Sequence, residues 1–311
     1  MAQENYSDIV GQDKTKLKLN FLLESFKQTK IMPHLLFVAP RGCGKTLIAQ
    51  KTAQIMSRGK NIIVNCSTIK NVKGFFNQIM LPYVYDKDVT IIFDEASELP
   101  RDVTMALLTI LNPNPNNQNE FAFEDGTYTF RFNQNSFIFC TTEAQKMFHA
   151  LLDRLYRIDM QDYSYVDLGK IIQGNLKIKN QSIQENILSE VSSVCRGNAR
   201  QAQSMANQIS GYLAGKKSNE LTSDGWNDIK TKLSIYPLGL SEIELNVIKI
   251  LKEFGEVRLT NLSAKTNLTK DMLQKNVEMY LMRNSLIEIR PTGRALTKKG
   301  HEYHKEHLEK R

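Results

Sequence analysis

The sequence lacks the features of membrane and disulfide-rich proteins. No apolar run approaches the length needed to cross a bilayer. Residues 1–12 have neither the basic start nor the apolar core of a signal peptide, so we expect a cytoplasmic protein. The four cysteines lie far apart and form no CxxC pair, so the sequence indicates neither a zinc ribbon nor a disulfide framework.

The composition is that of an ordinary globular protein with a basic balance. Its 311 residues, 41% hydrophobic and 24% charged, are enough for two or three domains with cores of their own. The formal net charge of +8 suits a polyanionic partner such as nucleic acid. Because many basic proteins bind no nucleic acid, charge alone does not decide the partner.

Three regions differ in their hydrophobic pattern. Residues 1–158 alternate short apolar runs with helical spacing, which predicts an α/β core around a parallel sheet. Residues 159–235 repeat apolar residues three and four apart without strand signals, which predicts a small helical domain. Residues 236–311 have the pattern of three helices and a hairpin, opened by Ser241 and Thr269 as helix caps, which predicts a winged helix.

Four continuous apolar runs in the first region are typical of strands buried on both faces. They are residues 34–39, 61–66, 89–94 and 136–141. Because these strands are predicted to be parallel, the polar residues that follow them are expected at one edge of the sheet.

The segment "APRGCGKT" after the first run matches the phosphate-binding pattern G-x-x-x-x-G-K-[ST] except at Ala39. In such a loop, backbone N–H groups surround the phosphates, the lysine reaches the β and γ phosphates, and the threonine holds Mg²⁺. Gly42 and Gly44 supply the permissive backbone, Lys45 the charge and Thr46 the hydroxyl. A methyl group at Ala39 is tolerable if φ there is negative. The alternative is a glycine-lysine pair in an ordinary turn.

A second motif, "VTIIFDEASELP", ends an apolar strand in Asp94 and Glu95. A carboxylate at Asp94 is placed to bind Mg²⁺, and Glu95 to orient and polarise an attacking water. Taken alone, the two acids could be a capping pair at a strand end. Because both motifs follow buried strands in the expected order, the sequence predicts a hydrolysing P-loop NTPase that uses Mg²⁺, and it leaves ATP and GTP open as the nucleotide.

Four further polar residues fit a hydrolytic site. Thr141 and Thr142 end the next strand, where a hydroxyl can bond the γ-phosphate or the attacking water. Arg154 can act on a neighbouring subunit as an arginine finger, although a surface salt bridge would also explain it. Arg200 opens a helix and can reach the γ-phosphate, with Arg196 as the alternative.

Together these motifs resemble those of AAA+ ATPases, and more narrowly those of the RuvB family of Holliday-junction branch-migration motors, over nearly the whole chain. The segments that carry the resemblance are "DIVGQDKTKLKL", "MPHLLFVAPRGCGKT", "IIFDEASEL", "FCTTEA", "LLDRL", "CRGNAR", "LGLSEIELNVIKIL" and "IRPTGRALTKKG". The Walker motifs are common to many NTPases, whereas "CRGNAR" followed by a winged helix is much more specific.

The resemblance implies an α/β core, a helical lid and a winged helix in a hexameric ring that translocates duplex DNA. It implies that Thr142 is the sensor 1 residue, Arg154 the arginine finger acting in trans, and Arg200 the sensor 2 residue. The implied nucleotide-binding set is Ile9, Val10, Gly42, Cys43, Gly44, Lys45, Thr46, Leu47 and Arg200.

The chain also departs from the family pattern. Ala39 and Arg41 replace a glycine and a proline of the loop, Glu143 stands at an arginine position, and Leu152 replaces an arginine. Residues 120–132 lie where the family has the hairpin that docks its junction-binding partner RuvA. The sequence of this segment predicts a hairpin with Asp125-Gly126 at its turn. Its residues give no basis for expecting the family's contact with RuvA in this chain.

The excess of positive charge in the C-terminal region lies toward the end of the chain. Residues 237–311 hold 14 Lys/Arg against 10 Asp/Glu. Arg290 and Arg294 flank the predicted wing turn, and Lys298 and Lys299 follow it, so we expect these four residues to contact duplex or branched DNA. Such contacts carry little sequence information, which suits a motor that moves along any sequence. A solvated basic hairpin on a protein-binding winged helix is the alternative.

Two other functions fit parts of the pattern. One is a clamp loader or another partner-remodelling AAA+ ATPase, although clamp loaders usually end in a helical collar rather than a wing. The other is a nucleotide-gated DNA-binding adaptor in which Ala39 and Arg41 mark lost turnover.

Overall fold

The computed structural model describes residues 5–309, which form two compact units. The first comprises the chain up to residue 178 together with 197–207, and the second comprises 179–196 together with the chain from residue 208. Within 5–309, no helix has both the length and the apolar character needed to span a membrane.

The first unit is built on a five-stranded parallel sheet with the order β2-β3-β6-β1-β7. Its strands and those of a separate hairpin are β1 Leu35–Val38, β2 Lys60–Asn65, β3 Val89–Asp94, β4 Gln118–Phe123, β5 Gly126–Arg131, β6 Asn135–Thr141 and β7 Tyr156–Asp159. The four predicted strands are confirmed to within one residue at each end. The edge strand β7 was not predicted. Only Ile158 of its four residues is buried, so the strand has no continuous apolar run.

Helices cover both faces of this sheet. The helices of the first unit are α1 Asp13–Thr29, α2 Lys45–Met56, α3 Val72–Phe75 (continued by a π-helix, Phe76–Val84), α4 Arg101–Ile110, α5 His149–Leu152 and α6 Tyr165–Ile178, of which α1 and α2 pack on one face and α3, α4 and α5 on the other. Successive strand residues enter different cores, since Leu35 packs with α1 and α2 whereas Leu36 packs on the side of α4. This double burial explains the continuous apolar runs of the strands.

Strands β4 and β5 confirm the predicted hairpin, with a turn one residue earlier than expected. Phe123 pairs with Gly126, so the turn is Glu124-Asp125. Glu124 adopts the left-handed conformation, with φ of 49°. The aromatic face of the hairpin packs inward, because Phe121 stacks on Phe76 with ring centroids 4.8 Å apart. The core of the first unit therefore includes apolar side chains of the hairpin.

The second unit contains most of the helical region and the winged helix. Its elements are β8 Ser182–Ile183, α7 Glu185–Ser193, β9 Glu220–Leu221, α9 Ser223–Lys232, α10 Glu242–Phe254, α11 Leu259–Thr266, α12 Lys270–Met272, β10 Ile287–Ile289, β11 Arg294–Leu296 and α14 Lys298–His307, with α8 Ala199–Lys216 shared with the first unit. A π-helix, Leu273–Glu278, continues α12 into α13 Met279–Arg283. The prediction that residues 159–235 contain no strands was wrong, because β8 and β9 pair. Each of these strands has only two residues, which is too few to produce an alternating hydrophobic pattern.

Local sequence signals account for the winged helix. Ser241 and Glu244 form a capping box at the start of α10, and Thr269 caps α12 through the Met272 N–H. The wing turn is closed by hydrogen bonds between Arg290 and Gly293. A Cβ at Gly293 would lie 2.7 Å from the backbone of the residue 257 peptide, so only glycine fits this turn. The predicted caps and hairpin are confirmed.

A buried ion pair joins the end of α7 to the winged helix inside the second unit. The Arg196 guanidinium donates to both carboxylate oxygens of Glu244, at 3.2 and 2.7 Å, and the Glu244 side chain is 1% exposed. The same guanidinium lies 3.5 Å from the ring centroid of Tyr280. The Tyr280 hydroxyl donates to the Leu238 carbonyl at 2.6 Å.

We expect Arg196→Leu to lower the free energy of unfolding by about 3 kcal/mol, because it leaves the buried Glu244 carboxylate without its counter-charge. Urea denaturation measures this loss. Lys232→Leu is the matched control, since Lys232 makes an exposed pair with Asp228 at 2.8 Å and its loss should cost much less than the loss of Arg196. Equal effects of the two substitutions would contradict a stabilising role for the buried pair.

Candidate functional site

The loop between β1 and α2 has the backbone that phosphate binding requires. Gly42 and Gly44 have φ of 79° and 84°, a left-handed conformation that favours glycine. Ala39 is buried and stays outside that region, so its methyl group is accommodated without strain. The departure at the first motif position therefore leaves the loop geometry intact.

Lys45 opens α2 and lies across the loop. Its Nζ donates to the carbonyl oxygens of Ala39, at 2.8 Å, and Pro40, at 3.0 Å. The side chain is buried, and this burial lowers the pKa of Lys45 from its ordinary value. The ammonium is thus held at the mouth of the loop, where a phosphate oxygen can replace a carbonyl oxygen as its acceptor.

Thr46 and Asp94 meet where α2 begins and β3 ends. Thr46 Oγ1 donates to Asp94 Oδ2 at 3.0 Å. A hydroxyl beside a carboxylate is the oxygen donor set that suits Mg²⁺ when substrate phosphates and water complete the coordination. Across residues 5–309, no group of three or more His, Cys, Asp or Glu side chains could hold a metal by itself. The Thr46 hydroxyl and the Asp94 carboxylate fit a Mg²⁺ ion that shares its coordination with a nucleotide.

Glu95 follows β3 in a left-handed conformation, with φ of 55°. Its N–H donates to Asp94 Oδ1 at 3.1 Å, so the turn is fixed by the preceding carboxylate. A positive φ is unfavourable for glutamate and is tolerated where the surroundings impose it. The Glu95 side chain is exposed at this turn, directly after the last residue of β3.

These elements surround one cavity of about 850 Å³ in the first unit, within the usual size of small-ligand sites. Its lining includes Ile9, Val10, Gly42, Gly44, Lys45, Thr46, Leu47, Asp94, Glu95, Thr142 and Arg200. Strand β6 lies between β1 and β3 in the sheet, so Thr142 falls between the phosphate loop and Glu95. The Thr141 hydroxyl accepts the Glu143 N–H at 3.0 Å, which fixes the backbone beside Thr142.

Two predicted site residues do not line this cavity. The Cys43 side chain is 1% exposed and packs into the core below the loop, with Sγ 3.5 Å from Asp162 Oδ1. Only its backbone N–H can serve a phosphate. Arg154 donates to Ala150 O at 2.7 Å and to Asn112 Oδ1 at 3.0 Å, outside the cavity.

The structure separates the two candidate sensor arginines. Arg196 is held by Glu244 in the second unit, whereas Arg200 is exposed and lines the cavity of the first unit. Of the two arginines, only Arg200 lines the cavity. The departure at Leu152 has a structural reason, because Leu152 packs against the core of the first unit.

Several cavity residues were not found by sequence reasoning. Tyr163 is buried beside the loop, where desolvation raises its pKa to about 12. A Cβ at Gly44 would lie 3.2 Å from the Tyr163 hydroxyl, so the ring packs closely on the loop. Helix α6 supplies Lys170, Ile171, Gly174, Asn175 and Ile178 to the lining. No spacing signal connects these residues with the loop, because the fold alone brings them together.

Two departures from the family pattern also line the cavity. Arg41 is exposed at the loop, and Glu143 follows Thr142. Glu143 Oε2 accepts a hydrogen bond from Lys146 Nζ at 2.8 Å, and this bond raises the pKa of Lys146. The Glu143 charge is therefore partly balanced from the same turn.

The four basic residues predicted to contact DNA differ in how they present their charge. Lys298 and Lys299 are exposed in the first turn of α14. Arg290 is half-exposed and pairs with Glu288. Arg294 departs from the expectation, since its guanidinium donates to both oxygens of Glu278 and its side chain is only 12% exposed. This internal ion pair leaves Arg294 little charge to present to a phosphate.

Comparisons with known proteins agree with this architecture. Residues 35–164 match the family of ATPases associated with various cellular activities (AAA), and residues 237–305 match the RuvB C-terminal winged helix domain. A curated relative named "Holliday junction branch migration complex subunit RuvB", from Wolbachia sp. subsp. Brugia malayi, is 25% identical over 96% of this chain and 92% of its own length. The protein of the same name from Pseudothermotoga lettingae is 27% identical over 96% and 87%.

A solved structure shows the same fold. The structure described as the Thermotoga maritima RuvB Holliday junction branch migration motor superposes on this chain with a TM-score of 0.76 at 20% identity. The superposition covers 95% of each chain, so it includes the α/β core, the helical region and the winged helix.

Proposed function

We infer that this chain, which is a RuvB-like AAA+ ATPase, hydrolyses ATP to drive branch migration of DNA junctions. The observation that carries the inference is the convergence of the phosphate loop, the Asp94-Glu95 turn and Thr142 on one cavity. The inference that the chain acts on DNA is supported by the match of residues 237–305 to the RuvB C-terminal winged helix domain.

Nucleotide binding is assigned to the loop and the start of α2. The N–H groups of residues 42–46 and the positive end of the α2 dipole would face the phosphates of a bound nucleotide, and Lys45 would add a full charge. Thr46 and Asp94 would hold Mg²⁺, which would neutralise negative charge of the bound phosphates. Ile9, Val10 and Leu47 line the apolar part of the cavity.

Hydrolysis is assigned to residues at the carboxyl edge of the sheet. Glu95 accepts a proton from the attacking water, and Thr142 orients that water or the γ-phosphate. Arg200 binds the γ-phosphate and stabilises the charge that develops on it. Each side chain lies on a different element, and the fold of the first unit sets their spacing.

We propose that Arg154 acts on the cavity of a neighbouring subunit in a homo-hexamer. Within its own unit, Arg154 does not line the cavity and is oriented by Ala150 and Asn112. An arginine supplied in trans typically contributes a factor of about 10³–10⁵ to hydrolysis. Hydrolysis would then require assembly of the ring.

We assign Arg290, Lys298 and Lys299 to the backbone of duplex or branched DNA. Lys298 and Lys299 add two exposed charges to a helix N-terminus, which already favours phosphate. Arg294 is left out of this set because Glu278 holds its guanidinium. Contacts of this kind position DNA without reading its sequence.

The double variant Lys298→Ala/Lys299→Ala should weaken binding to duplexes of any sequence. It should also reduce the slope of log affinity against log salt by about 2, one for each phosphate that a lysine no longer neutralises. Fluorescence anisotropy across a salt series measures both quantities. Lys216→Ala/Lys217→Ala is the matched control, an adjacent lysine pair outside the winged helix. An unchanged slope in the first variant would remove these lysines from the DNA surface.

The hairpin β4–β5 gives no support for docking a RuvA-like partner through apolar side chains. Phe121 and Phe123 stack on Phe76, and the exposed positions of β4 include Gln118 and Glu120. A clamp-loader role has no supporting observation either, since residues 237–305 match a winged helix.

ATPase activity measured with and without four-way junction DNA tests the proposed function. We expect junction DNA to raise the turnover number. Turnover that no DNA changes would overturn the coupling of hydrolysis to DNA, even if ATP is hydrolysed.

A further inference from the structure

The residues before α8 are hydrogen-bonded to the phosphate loop. Asn198 Nδ2 donates to the Arg41 carbonyl at 3.0 Å, and the Ala199 N–H donates to the Gly42 carbonyl at 3.1 Å. Both bonds lie within the first unit. The carbonyl groups of two successive loop residues, Arg41 and Gly42, therefore accept hydrogen bonds from the two residues that directly precede Arg200.

Asn198 also caps α8. Its Oδ1 accepts the backbone N–H of Arg200, at 2.9 Å, and of Gln201, at 3.2 Å. These two bonds identify the side-chain oxygen and leave the amide nitrogen to reach Arg41. One side chain thus fixes both the start of the helix and its distance from the loop.

The approach of Asn198 to the loop is very close. A Cβ at Gly42 would lie 2.1 Å from Asn198 Oδ1, and Gly42 already has a positive φ. Glycine is therefore required at this position for two independent reasons, its backbone conformation and the space that Asn198 occupies.

The bonds use only carbonyl oxygens of the loop. The N–H groups of residues 42–46 that would face a phosphate are not consumed by the Asn198 and Ala199 bonds. The contact can therefore hold the loop in shape while a nucleotide is bound.

We propose that Asn198 and Ala199 form a clamp that preorganises the phosphate loop and positions Arg200 for ATP hydrolysis. The proposal rests on the proposed ATPase function. Both are positioning residues, because they act through the loop and through Arg200. Without these bonds, the loop becomes ordered only when the nucleotide binds. Arg200, two residues after Asn198, is then no longer held at a fixed distance from the loop.

Two substitutions break the clamp without removing the helix start. Asn198→Ser keeps a good capping hydroxyl, but the shorter side chain does not reach the Arg41 carbonyl. Ala199→Pro removes the N–H that Gly42 accepts, and proline is favoured at the first position of a helix. Asn71→Ser is the matched control, because Asn71 caps α3 through the Gly74 N–H away from the cavity.

The experiment measures steady-state ATPase kinetics and the Kd of a fluorescent ATP analogue for the full chain. We expect Asn198→Ser/Ala199→Pro to lower kcat/KM about 10-fold and to weaken analogue binding, with Asn71→Ser unchanged and thermal unfolding temperatures alike. Arg200→Ala should cost less in the clamp variant than in the wild type, because the two effects are coupled.

Wild-type kinetics and affinity in the clamp variant, or an undiminished effect of Arg200→Ala, would overturn the clamp. A wild type that binds the analogue without hydrolysing ATP would overturn the ATPase proposal, and the clamp would then be judged on affinity alone. A wild type that binds no nucleotide would overturn both.

Discussion

Glu95→Gln should lower the turnover number for ATP by a factor of about 10²–10⁴ while leaving ATP binding nearly intact. Glutamine fills the same volume but cannot accept the proton of the attacking water. Glu95 lines the cavity as a carboxylate that is not assigned to the phosphates or to Mg²⁺, so we expect its charge to contribute little to affinity. Single-turnover hydrolysis and equilibrium binding of ATP separate the two quantities.

Glu98→Gln is the matched control for this substitution. Glu98 lines the same cavity three residues later, on a short 3-10 helix, and has no assigned role in hydrolysis. We expect near-wild-type turnover from it. If wild type turned over ATP no faster than Glu95→Gln, the chain would be a nucleotide-gated DNA-binding adaptor rather than a motor.

Lys45→Ala should weaken ATP affinity by about 100-fold, and hydrolysis should become undetectable with it. The ammonium is buried and held over the loop by the Ala39 and Pro40 carbonyls, so its charge is already in place when phosphate arrives. Charge-assisted hydrogen bonds to phosphate are worth about 1.5–3 kcal/mol each, and about 1.4 kcal/mol corresponds to tenfold in affinity. Isothermal titration calorimetry measures the change.

Lys27→Ala controls for loss of a positive charge, since Lys27 is an exposed lysine of α1 outside the cavity lining. ATP affinity equal to wild type in Lys45→Ala would show that nucleotide, if bound, lies elsewhere.

The chemistry of the loop could be predicted from sequence because it is local. Gly42, Gly44, Lys45 and Thr46 act through backbone conformation and helix start, which neighbouring residues determine. The strands could be predicted because double burial leaves continuous apolar runs. The sheet order could not, since nothing in the sequence says that β6 lies between β1 and β3.

Long-range packing explains what the sequence did not reveal. Tyr163 and Asn198 reach the loop from positions far along the chain, and no spacing rule links them with it. The pairing of Arg294 with Glu278 was equally hidden, because a sequence lists charges without showing which are buried together. Cys43 was assigned to the site by its place in the motif, whereas its side chain turns into the core.

The most direct test of the central proposal is ATP-dependent conversion of a labelled synthetic four-way junction into duplex products. We predict conversion by the wild type with ATP, and none with ADP or by Glu95→Gln. ATP hydrolysis that proceeds without any conversion of the junction would contradict a branch-migration motor.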